Sequence, residues 1–140
     1  MPHFQTTRRV EFCDTDMAGI VHFANFFRFM EAAEHEFFRS LELKIAGRFP
    51  DGLEYGWPRV SATCSYQSPA RYEDVVEIGI TILKRTDRSL TTSYEFTRDQ
   101  QRLAVGEMKT VFCVFPSGSP MQSAAMPPEI AAKLDAAARE

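Results

Sequence analysis

Phe12-Cys13-Asp14-Thr15-Asp16-Met17-Ala18-Gly19-Ile20-Val21-His22-Phe23-Ala24-Asn25-Phe26 is the stretch across which the hydrophobic period of the chain changes. Before it, Thr6 to Phe12 alternate polar with apolar, and Val10 and Phe12 share one face, as in a half-buried strand. After it, Phe26, Met30, Ala33, Phe37 and Leu41 recur at spacings of four and three. Such spacings stack on one face of a helix, here from Asn25 to about Leu43. Phe23, Phe27 and Phe38 widen that stripe beyond what a surface helix needs, which suits a helix lying across a sheet that wraps it. Asn25 is one candidate N-cap, and a start near His22 is equally open.

Downstream, Lys44 to Gly56 carries Gly47, Pro50, Gly52 and Gly56 and reads as a loop able to shape a pocket. Four strand-like runs follow: Arg59 to Tyr66, Asp74 to Leu83, Ser89 to Thr97 and Leu103 to Phe115. Polar turns separate them, at Lys84–Arg88 and Arg98–Arg102. Pro127 and Pro128 open a short helix from about Glu129 to Ala138, expected on the surface or as a frayed tail. A strand, a long helix and then consecutive strands lack the βαβ rhythm of a doubly wound parallel sheet. The expectation is an α+β chain: an antiparallel-rich sheet of about five strands packed on one central helix.

At 140 residues the chain fits a single domain with one core. With 44% hydrophobic and 25% charged residues, its composition is ordinarily globular. A net charge of -3 leaves no basic surplus for a polyphosphate backbone, so nucleic acid is not expected as a partner. Cys13, Cys64 and Cys113 are odd in number and widely spaced, which argues against a disulfide framework or a zinc site. Each lies in a strand-like run and is read as a small buried thiol. No secretory h-region or membrane-length apolar run is visible, so a cytoplasmic location is the default expectation, without a membrane span.

The chemistry on offer is narrow. Ser117 and Ser119 lack the Gly-x-Ser-x-Gly setting of a nucleophile elbow, and no metal-ligand spacing or phosphate loop is present. Metal and cofactor are therefore expected to be none. What remains is Asp16 shortly before a helix N-terminus, where backbone N–H groups lack helical partners. A carboxylate beside such donors can supply a base while they hold a carbonyl oxygen. Gly19 lets backbone approach a ligand closely, and His22 is read as a rim residue of the site rather than its base. Lys84, Arg85 and Arg88 form the sharpest basic cluster, suited to a phosphorylated carrier.

The run Asp14 to Phe26, followed by Glu31-Ala32-Ala33-Glu34, resembles the opening of the 4-hydroxybenzoyl-CoA thioesterase family of hotdog proteins. Tyr66, Pro69-Ala70-Arg71-Tyr72 and Asp74 look like the strand-turn-strand that follows the helix there. The resemblance implies a hotdog fold, with a curved antiparallel sheet around a long helix. It implies a homo-oligomer, dimer or tetramer, with the active site between subunits. It implies hydrolysis of an acyl-CoA thioester without metal or cofactor. By the same likeness Asp16 is the catalytic carboxylate, and the Phe23 N–H polarises the thioester carbonyl. Glu31 matches an acid near the acyl group, and Trp57 falls where the hydroxybenzoyl enzyme has a threonine of its acyl pocket. The basic turn Lys84, Arg85 and Arg88 falls where such enzymes hold CoA phosphates. Phe23 is aromatic as in the hydroxybenzoyl- and dihydroxynaphthoyl-CoA branches, whereas the Tol-Pal-associated branch has His there. An aromatic or short-chain acyl group is therefore expected. The alternatives are an acyl-carrier-protein thioesterase or a non-catalytic acyl-CoA-binding module on the same fold.

Overall fold

The structure is a computed structural model, described over residues 1–139. Its first element is β1 (Phe4–Arg9), followed by a 3-10 turn over Phe12–Asp14 and the long helix α1 (Phe23–Ser40). The hairpin β2 (Ala46–Arg48) and β3 (Glu54–Gly56) precedes the main strands β4 (Arg59–Tyr66), β5 (Val75–Arg85), β6 (Ser89–Arg98) and β7 (Gln101–Val111). The chain continues through β8 (Cys113–Phe115), β9 (Gln122–Ser123) and helix α2 (Pro128–Ala138). The main sheet has five strands in the order β1-β5-β6-β7-β4, with every pair antiparallel. A second sheet orders β2-β3-β8-β9.

Period two puts the core face of the sheet where the sequence places it. Val76, Ile78, Ile80 and Ile82 of β5 are buried, as are Leu90, Thr92, Tyr94 and Phe96 of β6. From α1 they meet Phe26, Phe29, Met30, Ala33, Phe37 and Phe38. Each buried aromatic or branched side chain contributes about 1.5–3 kcal/mol relative to exposure. Close approach of helix to sheet is set at Gly106 of β7, where an added Cβ would lie 2.4 Å from the Met30 sulfur and 3.2 Å from the Thr63 carbonyl oxygen. The β6–β7 hairpin turns through Asp99 and Gln100, both at positive φ, the backbone of a two-residue turn that follows strand twist.

Several expectations are corrected by the packing. The first strand ends at Arg9, and Phe12 is 77% exposed on the 3-10 turn instead of facing the core. Its inward positions are half-buried Phe4, Thr6 and Arg8, because β1 is an edge strand: Thr6 donates to Glu36, and Arg8 lies over the Phe29 ring. The glycine-rich loop contains β2 and β3, with Tyr55 stacked on Phe112. The last long strand breaks after Val111: Phe112 donates its N–H to the Arg88 carbonyl at 2.6 Å, and the chain leaves the first sheet for the second. Helix α2 is seated rather than frayed, with Ile130, Leu134 and Ala137 buried. Cys13 is exposed, Cys64 half-buried and only Cys113 buried.

One strand has no cover in the isolated chain. Seven of the eight β4 residues are exposed and Cys64 is only half-buried, although β4 is eight residues long and fully paired with β7 on one side. At its start Arg59 reaches α1, donating to Glu34 at 2.5 Å and to Glu31 at 3.4 Å. Burial pushes the Glu34 carboxyl above its ordinary range, and the Arg59 guanidinium partly offsets this.

Candidate active site

Asp14 organises the loop between the 3-10 turn and α1. Its carboxylate accepts the Glu11 N–H at 2.8 Å, while its carbonyl accepts from the His22 N–H at 2.9 Å and from Asn25 Nδ2 at 2.8 Å. It is 8% exposed, does not line the cleft that Asp16 and Phe23 share, and is engaged in these loop bonds, so its work is structural. The loop then folds back on itself: Asp16 N–H donates to the Ile20 carbonyl at 2.9 Å, and Gly19 N–H to the Asp16 carbonyl at 3.0 Å. Gly19 has φ +79°, a conformation that costs other residues roughly 1 kcal/mol or more.

Asp16 is half-buried. Its Oδ1 accepts the Ala18 N–H at 2.8 Å, an Asx turn that fixes the carboxylate, and Oδ2 has no partner among the described residues. The helix start is arranged in a complementary way. His22 is the N-cap, and its Nδ1 accepts the Ala24 N–H at 3.1 Å. The Asn25 N–H goes to the His22 carbonyl at 2.9 Å. Of the N–H groups from His22 to Asn25, only that of Phe23, the first helical residue, has no acceptor among the described residues.

Asp16 and Phe23 line one cleft of about 600 Å³. Its apolar wall is Ile20, Val21, Phe26, Pro69 and Ala70, with Tyr66, Gln67, Ser68 and Arg71 completing it. The 66–71 segment is stitched to the loop by the Val21 N–H, which donates to the Ala70 carbonyl at 2.8 Å, and by pairing of Ile20 with Arg71. Asp74 holds that turn, accepting the Arg71 N–H at 2.8 Å and Arg98 Nη1 at 2.6 Å. Burial alone would push the Asp74 carboxyl up, but these donors outweigh it and hold the group below its ordinary range.

The other residues expected at the site fall elsewhere. Gly19 shapes the Asp16 loop without lining the cleft, and His22 caps the helix with its ring stacked on Phe23 at 4.6 Å. Glu31 is engaged by Arg59. Trp57 is a core residue between Phe38 and Phe112, and its indole N–H is buried without a partner. Arg85 makes a two-pronged pair with Asp135 of α2, at 2.5 and 2.8 Å, and Arg88 donates to the carbonyl and hydroxyl of Ser123. Lys84 is exposed, and none of the three lines the Asp16 cleft of its own chain. Tyr66, Ser68 and Arg71 are cleft residues that sequence spacing did not single out. The signal available for them was the break at Ser68-Pro69-Ala70-Arg71, which returns the chain to the loop carrying Asp16.

A fixed carboxylate with one free oxygen, lining the same apolar cleft as an unpaired helix N-terminal donor, is equipped for acyl transfer. Comparison with known proteins agrees. A 4-hydroxybenzoyl-CoA thioesterase of a Pseudomonas species is 32% identical over 96 residues, covering 65% of each chain. A solved hypothetical protein from Aquifex aeolicus superposes with TM-score 0.77 at 31% identity, over 94% of this chain and 98% of its own. A solved gentisyl-coenzyme A thioesterase superposes with TM-score 0.78 at 27% identity, over 93% of this chain and 98% of its own. The model of the thioesterase-like superfamily matches residues 10–134, from just after β1 through most of α2, and the chain belongs to that family.

Proposed function

We propose that Asp16 is the reacting carboxylate of this acyl-CoA thioesterase and that the Phe23 N–H is its oxyanion donor. The observation that carries the reading is the shared cleft: an unpartnered Asp16 Oδ2 and an unpartnered Phe23 N–H on the same apolar surface. The thioester carbonyl accepts from Phe23, where the helix field favours the negative charge that develops on oxygen. Asp16 then either attacks the carbonyl carbon, expelling the CoA thiolate and leaving an anhydride for water to open, or takes a proton from a water that attacks. Both routes yield the free acid and CoA. Repeated turnover in ¹⁸O-labelled water tests the first route, because label enters the Asp16 side chain only when water opens such an anhydride at the Asp16 carbonyl.

The wall of Ile20, Val21, Phe23, Phe26 and Tyr66 favours an aromatic or short-chain acyl group. The uncovered β4 edge supports a second copy, since a long unpaired edge is otherwise a template for uncontrolled pairing. The nucleotide end of CoA is assigned to the Lys84 turn, reached across that dimer because the turn does not line its own chain's cleft.

The experiment is a panel of benzoyl-, naphthoyl-, phenylacetyl- and straight-chain CoA esters, assayed by CoA release. Asp16→Asn is expected to lose about 10²–10⁴-fold in kcat while remaining folded. Near wild-type turnover by that variant would remove Asp16 from the mechanism. Lys84→Gln, which disturbs neither Asp135 nor Ser123, should raise KM for the CoA ester but not for a truncated thioester lacking the nucleotide. Equal KM changes would make the turn ordinary surface.

A further inference from the structure

The Tyr66 hydroxyl donates to the Phe23 carbonyl at 3.0 Å, although the two residues lie 43 positions apart. Tyr66 is the last residue of β4, and the chain runs directly from it into the segment that meets Val21 and Ile20. One short stretch, 66–71, therefore touches both halves of the site. At one end it holds the start of α1 through a side chain, and at the other it holds the Asp16 loop through backbone bonds. The Tyr66 ring packs edge-on against Phe26 at 5.4 Å, so that although the residue is 45% exposed its hydroxyl reaches the helix start. Burial, with Cys64 two residues back on the strand, pushes the phenol up to about 12. It stays protonated, and so remains a donor, across the working range of any carboxylate base.

Helix ends fray, and the first turn of α1 carries the donor on which the proposed reaction depends. The Phe23 carbonyl and N–H flank the same Cα, so fixing the carbonyl restricts the swing of the N–H. We propose that Tyr66 is a positioning residue for thioester hydrolysis: its hydroxyl clamps the first turn of α1 so that the Phe23 N–H stays aimed into the Asp16 cleft. This rests on the reading of Phe23 as the oxyanion donor. Without the clamp the substrate still binds the apolar wall, but the donor points at the transition-state oxygen for a smaller share of the time.

The test is Tyr66→Phe, which keeps the ring and its packing on Phe26 and deletes only the donor. Expected is a fall in kcat of about 3- to 10-fold, the scale of one lost hydrogen bond, with KM unchanged for both the CoA ester and a truncated thioester. In parallel, ¹⁵N-resolved hydrogen exchange at Ala24 and Asn25, the hydrogen-bonded amides of the first turn, should accelerate in Tyr66→Phe, while exchange in β5 and β6 stays as in wild type. Unchanged kcat, or a rise in KM alone, would overturn the proposal and leave Tyr66 as wall only. Unchanged exchange at Ala24 and Asn25 would overturn it equally. The exchange arm needs no turnover. If Asp16→Asn proves fully active, the catalytic reading fails by itself, and exchange still decides whether Tyr66 clamps the helix.

Discussion

A donor that belongs to the main chain can be removed cleanly by one residue type. Phe23 is the first residue of α1, where proline is tolerated because the N–H has no helical acceptor to lose. His22 before it has φ −61° and ψ 134°, the extended conformation that a residue preceding proline prefers. Phe23→Pro should therefore fold with wild-type circular dichroism and lose about 10²–10³-fold in kcat, the scale of one missing oxyanion donor. Phe23→Ala, which keeps the N–H, should lose far less. Asp74 gives a second test at this scale. Its folded carboxyl lies below the unfolded value of 3.8, so it adds stability that is present above that pH and lost as pH falls through the folded value. Asp74→Asn should lower stability near neutral pH and flatten the acid limb of a denaturation profile measured below about pH 4. Asp16 and Phe23 were legible at this scale as candidates, because an acid, a small loop and a helix start in succession put a carboxylate near free N–H groups, and the structure brings both to one cleft. Trp57 and Glu31 were not: whether a side chain faces a ligand or the core depends on β3 and β4 neighbours far away in sequence, and Trp57 lies between Phe38 and Phe112.

Among the elements, the main strands and α1 followed from hydrophobic period, since one buried face of a sheet or helix leaves its mark on alternate or third-and-fourth residues. The hairpin β2–β3 and the seating of α2 left no such mark. Strands of three residues are too short to show a period, and an alanine-rich helix packs by its small size as readily as it frays. What holds α2 is tertiary: buried Ile130 and Leu134, and the Arg85–Asp135 pair. That same pair explains why the basic turn cannot be read from charge alone, as two of its three cations are engaged by the C-terminal segment. Leu134 has no exposed surface, so Leu134→Ala should cost about 2–5 kcal/mol in a denaturant melt. Because α2 does not line the Asp16 cleft, kcat of the folded fraction should be unchanged.

For the molecule as a whole, the fold places Asp16 and Phe23 where two kinds of rigidity meet. The Asp16 loop is tied down by backbone bonds to 66–71, and the helix start is tied to the strand that leads into that segment. Seven exposed positions on β4 are the ground for expecting an assembly, and light scattering at micromolar concentration should give at least twice the 15.9 kDa chain mass. A chain mass of one would remove the second copy from the account of nucleotide binding. The unequal exposure of the three thiols has a practical use. Cys113 is buried and Cys64 half-buried, and burial pushes both thiols up, away from the reactive thiolate, whereas Cys13 is exposed on the turn beside Asp14. A maleimide dye added at one equivalent should attach at Cys13 first, as a mapped digest would show. That dye would give an optical reporter a few residues from Asp16, with which filling of the cleft could be followed in real time in the unmutated protein.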